Sequence, residues 1–152
     1  MFLTRRKLAF AALAAGCALV GSAPAARADA APHAEVLVIH GTDCETPHVD
    51  PGIGEVPPLK YKCYKLLETK QLALTQGAPS TMPLANGRTF QLVYNGKTGD
   101  TPPRYKLSAS INKVGGPGFQ PLADVAAEHG KKFHVGGFAY QNGALILAIR
   151  VL

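Results

Sequence analysis

The chain has 152 residues and a formal net charge of +6. Four of the sixteen basic residues and one of the ten acidic residues lie among the first thirty, so residues 31–152 carry only +3. This mild charge argues against nucleic-acid binding, which usually needs a dense basic patch. The segment after residue 30 is long enough to bury the core of one domain.

The first thirty residues predict a cleavable signal peptide. A short basic start, Met1–Lys7, precedes an apolar run of small residues, Leu8–Gly21. This run is too short to cross a bilayer core of about 30 Å. Small residues that end at Ala28 and at Ala30 offer two cleavage sites. We therefore expect an exported protein, periplasmic or extracellular, whose single domain spans residues 31–152.

Two details of this segment concern the export route. The run Thr4-Arg5-Arg6 resembles the twin-arginine motif, although Leu8 stands where that motif usually has Phe. A general secretory signal that happens to carry two arginines is the other interpretation, and both stay open. The run Ala14-Ala15-Gly16-Cys17 is similar to a lipoprotein box, so lipid anchoring through Cys17 is a further alternative.

Export would place the remaining cysteines, Cys44 and Cys63, where a disulfide can persist. Their pairing would close a loop of about twenty residues, worth about 3 kcal/mol if unstrained. That loop holds four prolines and two glycines and is poor in regular structure. A separation of 19 positions argues against a Cys-x-x-Cys redox pair. We therefore predict a structural disulfide.

The first strands in chain order flank this loop. Val36–Ile39 is a continuous apolar run, typical of a strand buried on both faces. Tyr61–Leu74 is irregular and predicts a bulge or bend near Lys65. One face of this strand is expected to carry Tyr64, Leu66, Leu72 and Leu74.

Three Asn-Gly pairs punctuate the rest of the chain. Both residue types tolerate positive φ, so such a pair between apolar runs predicts a hairpin turn. The pairs Asn86-Gly87 and Asn142-Gly143 predict hairpins over residues 83–94 and 136–152. The pair Asn95-Gly96 is expected to open a longer loop that continues to Pro103.

The later strands complete the fold prediction. Arg104–Ile111 alternates apolar and polar residues, which puts Leu107 in the core and Lys106 in water. Phe119–Ala127 is either an edge strand, as Pro121 suggests, or a short helical turn. Ala144–Ile149 is a second continuous apolar run. The sequence predicts an all-β fold, an antiparallel two-sheet β-sandwich of about seven or eight short strands.

The order of these segments resembles small exported bacterial β-domain proteins of unassigned function. The similarity rests on the Pro-rich stapled loop, the Leu84–Arg88 hairpin, the Arg104–Ile111 strand and the apolar final strand. It extends over most of residues 31–152 and contains no catalytic motif. It therefore implies a fold and provides no site.

Potential metal ligands are densest at the start of the stapled loop. His40, Asp43 and His48 fall within nine residues. Imidazoles suit zinc, copper, iron and nickel, and carboxylates suit harder ions. The spacing matches no established ligand motif, and a polar loop whose Asp and Thr side chains bond to nearby backbone is the other explanation. Metal binding is the alternative function, and otherwise no cofactor is expected.

Basic residues are densest just after this group. Lys60, Lys62 and Lys65 alternate with tyrosines, and Lys106 lies on the outward face of its strand. These lysines are candidates to bind an envelope protein or an acidic polysaccharide. A solvated strand face that protects a sheet edge from aggregation is the competing interpretation.

Sequence motifs give little support to catalysis. The nucleophile motif Gly-x-Ser-x-Gly is absent. A Cys–His hydrolase would need a free cysteine, which the predicted disulfide removes. His134 is expected to face outward from a strand, and Gly136-Gly137 predicts a β-bulge. We therefore expect a non-catalytic binding module rather than an enzyme.

Overall fold

The computed structural model describes residues 31–152, which form nine strands and one short 3₁₀ turn. The strands are β1 (His33–Thr42), β2 (His48–Val49), β3 (Cys63–Ala73), β4 (Pro79–Pro83), β5 (Thr89–Lys97), β6 (Arg104–Asn112), β7 (Phe119–Glu128), β8 (Phe133–Tyr140) and β9 (Gly143–Val151). Predictions about the signal peptide, the export route and Cys17 concern residues outside the described part. Between residues 31 and 152, no helix has the length and apolarity that membrane crossing requires.

The strands form two sheets, which confirms the all-β, two-sheet prediction. One sheet has the order β2-β3-β1-β9-β8 and the other has the order β4-β5-β6-β7. The strand count is nine rather than seven or eight. One pairing also differs from the antiparallel prediction, because β2 runs parallel to β3. The chain reaches β3 through the long stapled loop rather than a tight hairpin, and a parallel pair needs such a crossover.

The main core lies between the sheets and follows the period-two pattern. Tyr105, Leu107, Ala109 and Ile111 are all buried, whereas Lys106 is exposed. The five-stranded sheet contributes inward residues such as Val36, Leu145 and Leu147. Alternation in Arg104–Ile111 is therefore confirmed, because each second side chain of β6 faces the opposite sheet.

The two continuous apolar runs are central strands, as predicted. β1 and β9 pair with each other and occupy interior positions of the five-stranded sheet. Their second faces are buried in a separate outer cluster (Leu37, Ile39, Ile53, Tyr64, Ile146 and Ala148). The stapled loop supplies Ile53 to this cluster. The runs lack polar alternation because the loop covers the face that would otherwise meet water.

The hairpins form where two of the Asn-Gly pairs predict them. Asn86-Gly87 lies in the turn between β4 and β5, with a positive φ of 81° at Gly87. In the β8–β9 hairpin, Gln141 takes the positive φ of 49° and Gly143 already belongs to β9. The predicted loop up to Pro103 is present, but the prediction that Asn95-Gly96 opens it is wrong, because β5 continues through this pair to Lys97. The pair lies where the register of β5 against β6 shifts, between Tyr94 and Lys97.

A bulge in β3 changes the face of the sheet on which its later side chains lie. β3 carries an extra residue, Leu67, because Val38 pairs with Glu68 and Ile39 pairs with Leu66. The bulge lies two positions after Lys65. The predicted common face of β3 is therefore wrong. Tyr64 and Leu66 belong to the outer cluster, and Leu72 and Leu74 face the main core.

Two other predictions about strand irregularity are confirmed. The register of β8 against β9 shifts between Gly136 and Phe138, which makes Gly136-Gly137 a bulge. The segment from Phe119 forms β7, at the edge of the four-stranded sheet, and Pro121 lies within it. An edge position tolerates proline because the missing N–H is not needed by a second neighbour.

Candidate functional site

The stapled loop is the largest irregular segment and lies on the outer face of the five-stranded sheet. The disulfide between Cys44 and Cys63 is present, and their Cα atoms are 5.9 Å apart. Ile53 is fully buried on the sheet, and Val49, Tyr61 and Leu66 pack around the outer cluster. The loop is therefore held by a small hydrophobic core of its own as well as by the covalent bond.

Asp50 fastens the first half of the loop to the free edge of β3. The backbone N–H of Asp50 donates to Tyr64 at 3.0 Å, and its carboxylate accepts from the N–H of Leu66 at 2.9 Å. The same carboxylate lies 3.1 Å from Nε2 of His48. The hydrogen bond from Leu66 is the main cause that lowers the pKa of Asp50, and the bond to His48 adds to it. The carboxylate thus accepts a hydrogen bond from an edge N–H of β3 that would otherwise be open to pairing with another strand.

Three more hydrogen bonds hold the middle and the second half of the loop. The hydroxyl of Tyr64 donates to the carbonyl oxygen of Leu59 and accepts from the N–H of Tyr61 at 3.3 Å. Lys132, in the β7–β8 turn, donates to the carbonyl oxygen of Ile53 at 2.8 Å. These bonds give hydrogen-bond partners to backbone N–H and C=O groups in a segment that lacks regular strand-to-strand hydrogen bonds.

The outward side of this fixed loop combines apolar and cationic side chains. Val56 is 61% exposed and Leu59 is 41% exposed. Lys60 and Lys62 are exposed directly after them. We call these four residues the loop patch. The sequence identified its lysines, but it missed its apolar pair, because nothing in a Pro-rich run tells which apolar residues the sheet will bury.

The four predicted partner-binding lysines do not form one surface. Lys60 and Lys62 belong to the loop patch, and Lys65 is exposed near the start of β3. Lys106 lies in the other sheet, on its outer face, beside Ser108 and Asp124. The structure therefore separates Lys106 from the other three.

The predicted metal ligands each have a different neighbour. Nε2 of His40 lies 3.2 Å from the carbonyl oxygen of Tyr140, and the two rings stack edge to face at 4.8 Å. His48 is bonded to Asp50, and Asp43 is exposed. Across residues 31–152, no three His, Cys, Asp or Glu side chains come together as a group that could hold a metal ion. The metal site stays a prediction, and this geometry does not favour it.

His134 is a titratable residue whose environment the sequence did not reveal. It pairs with Ala148, so it faces away from the main core, toward the outer cluster. Its Nε2 atom is buried and has no hydrogen-bond partner among the described residues. Burial is the main cause that lowers the pKa of His134, and the nearby charge of Lys132 lowers it further. The sequence analysis predicted correctly that His134 faces away from the main core. Its side chain is nevertheless partly buried rather than fully exposed to solvent.

One cleft adjoins the stapled loop, between Gly54–Glu55 and the β7–β8 turn. It has a volume of about 540 Å³, and its cationic lining residues are Lys131, Lys132 and Arg150. Each of these cations already has a partner. Lys131 pairs with Glu128, Lys132 donates to Ile53, and Arg150 bonds to Glu35 at 2.8 Å. Among these three contacts, the bond from Lys132 to Ile53 is the one that joins the loop to the turn.

Ser110 and Lys113 have the spacing of the Ser-x-x-Lys nucleophile motif. Ser110 is part of β6, which ends at Asn112, and Lys113 is exposed in the following loop. Residues three apart along a strand point to opposite faces, whereas a helix would bring them together. The strand therefore does not present this pair as a nucleophile and its base.

Comparison with known proteins adds no family. No family model, no curated protein and no solved structure matches this chain.

Proposed function

We propose that residues 31–152 form an exported, non-catalytic binding module that attaches to an envelope protein through the loop patch. The observation that carries this proposal is the exposure of Val56 and Leu59 on a loop that is fastened at several points. Apolar side chains on a fixed loop lose little conformational freedom when a partner covers them. Isolated exposed apolar residues are ordinary, but two on one fastened loop, with Glu55 before Val56 and Lys60 and Lys62 after Leu59, are suited to recognition.

The chemistry of the loop patch suggests the kind of partner. An apolar centre with a charged rim is the usual anatomy of a protein interface. Lys60 and Lys62 would favour a partner whose rim is acidic, and such charges mainly raise the association rate. An acidic glycan is less well supported, because a long anionic chain would need a continuous cationic track and Lys106 lies in the other sheet.

Two features support a non-catalytic role. The disulfide removes both Cys44 and Cys63 as nucleophiles. The sequence contains no Gly-x-Ser-x-Gly nucleophile motif. Export itself rests on the sequence, and a disulfide is compatible with an oxidising compartment.

A site-specific cross-linking experiment tests the proposal. A photoreactive amino acid replaces Leu59 in the full chain expressed in its native cells, and a parallel variant carries it at Val114. Val114 is a matched control, because it is 82% exposed on the loop between β6 and β7. We expect a discrete adduct from position 59 that disappears in the Lys60→Glu, Lys62→Glu background. Adducts of equal yield and pattern from both positions, or none from position 59, would contradict the proposal.

A further inference from the structure

A second cleft lies where the two sheets meet at one end of the sandwich, and we call it the mouth cleft. It has a volume of about 470 Å³ and is lined by residues 31–33 at the start of β1, the end of β5, the start of β6, the β7–β8 turn and Leu152. Its polar side chains come from His33, Lys97, Tyr105 and His129. A cavity of this size falls in the range that holds small molecules.

The basic groups of the mouth cleft differ from those beside the stapled loop. In that first cleft, each cation is occupied by a carboxylate or a backbone carbonyl. Among residues 31–152, the ion pairs involve none of Lys97, His33 and His129. These three side chains therefore remain available to a ligand. No Asp or Glu lies in the wall as described.

Lys97 and Tyr105 are held in place by contacts within the fold. The ammonium of Lys97 lies 5.5 Å from the centre of the Tyr105 ring, a cation–π geometry. The bulge at Asn95-Gly96 lies just before Lys97 and lets Lys97 pair with Tyr105. The ring of Tyr105 is mostly buried, packs near Tyr94 and so forms a firm floor.

His33 is fixed by the backbone and not by its ring. Its N–H donates to the carbonyl oxygen of Leu152 at 3.1 Å, and its carbonyl accepts from the N–H of Leu152 at 2.9 Å. Leu152 also lines the cleft.

We propose that the mouth cleft binds a small ligand that carries a carboxylate or phosphate group. Lys97 supplies positive charge, and His33 and His129 supply imidazole nitrogens that can donate to the anionic group, while the ring of Tyr105 holds the Lys97 ammonium in place. The chemistry is shared by an acidic monosaccharide and by free phosphate, and an experiment can separate them. This inference is independent of the loop patch, which lies on the stapled loop on the outer face of the five-stranded sheet.

Titration of the mature protein with three compounds tests this site. We would follow backbone amide signals during addition of glucuronate, inorganic phosphate and glucose at physiological ionic strength. We expect saturable shifts around Lys97 and His129 with at least one anion and none with glucose. Saturation by glucuronate alone would assign an acidic sugar, and saturation by phosphate alone would assign a phosphate group. An absence of saturation with either anion would overturn the proposal.

Matched variants establish that binding is local. Lys97→Met should weaken anion binding at least tenfold, because it removes a positioned charge. Lys113→Met makes the same charge change on an exposed loop outside the cleft and should alter binding less than twofold. His129→Gln gives a second variant at an exposed position and should also weaken binding. Equal losses in Lys97→Met and Lys113→Met would show diffuse charge attraction and would refute a built site.

Discussion

Gly143 lies directly against the carbonyl oxygen of Gly41, the residue before its β1 partner Thr42. A Cβ atom added at Gly143 would come within 1.9 Å of that oxygen. Gly41 is confined less tightly, because a Cβ there would lie 2.7 Å from the side-chain ring of Tyr61. The two glycines allow the ends of β1 and β9 to approach beneath the stapled loop.

Gly143→Ala should therefore destabilise the fold by at least the usual cost of overpacking, about 1–3 kcal/mol. Chemical denaturation of the purified protein measures this loss. Gly116→Ala is the control, because a Cβ at Gly116 would meet nothing within 4 Å. If the two variants were equally stable, the close approach of β1 and β9 would be wrong.

The register of β6 gives a second prediction. Leu107 is 2% exposed in the main core, and Lys106 is its exposed neighbour. Leu107→Ala should cost about 2–5 kcal/mol through lost burial and a residual cavity. Lys106→Ala should cost less than about 0.5 kcal/mol, as ordinary surface sites do. Thermal or urea unfolding measures the stability of both variants. Equal losses of stability would show that the register assigned to β6 is wrong.

The sequence could predict β6 because its alternation depends only on which residues meet water. It could not predict the faces of β3, because one extra residue, Leu67, reverses every later side chain. Nor could it tell that Asn95-Gly96 forms a bulge, because the same two residues suit a turn and a bulge alike.

The candidate sites were predicted in part for a similar reason. The disulfide and the lysines are properties of residue type and spacing, which a sequence displays. The mouth cleft joins His33, Lys97 and His129, which are far apart in the chain and meet only through sheet topology. Exposure of Val56 and Leu59 depends on which loop residues the outer cluster takes, and Ile53 was not distinguishable from them by type.

The staple itself is directly testable. A thiol reagent applied to unfolded but unreduced mature protein should label neither Cys44 nor Cys63, because the two are joined. The double change Cys44→Ser, Cys63→Ser should lower stability by about 3 kcal/mol, since it frees a loop of about twenty residues in the unfolded chain. Labelling of both cysteines without reductant would refute the disulfide.

Metal binding can be measured separately from stability. We expect equilibrium dialysis against zinc or copper to give less than one bound ion per chain, because no three His, Cys, Asp or Glu side chains of residues 31–152 come together as a group. One tightly bound ion that is lost in the His40→Gln variant and in the Asp43→Asn variant would instead support the metal alternative.

The partly buried imidazole of His134 leads us to predict how the stability of the fold depends on pH. Its pKa in the folded protein lies below the ordinary value of 6.5, chiefly because burial disfavours the charged ring. The unfolded chain therefore binds a proton more readily than the folded protein as pH falls below 6.5. Linkage requires stability to be full above that range and to decrease toward acid pH. Asp50 adds to the loss at still lower pH, because its pKa is also lowered and its carboxylate must be charged to hold the loop.

Urea unfolding of the wild type and of His134→Gln over about pH 5 to 8 tests this effect. Wild-type stability should fall below about pH 6.5, and the His134→Gln variant should show a flatter profile over that interval because glutamine does not titrate. His129→Gln is the control, because it removes an imidazole that is exposed in the β7–β8 turn. If His134→Gln kept the full slope, the acid sensitivity would come from other groups.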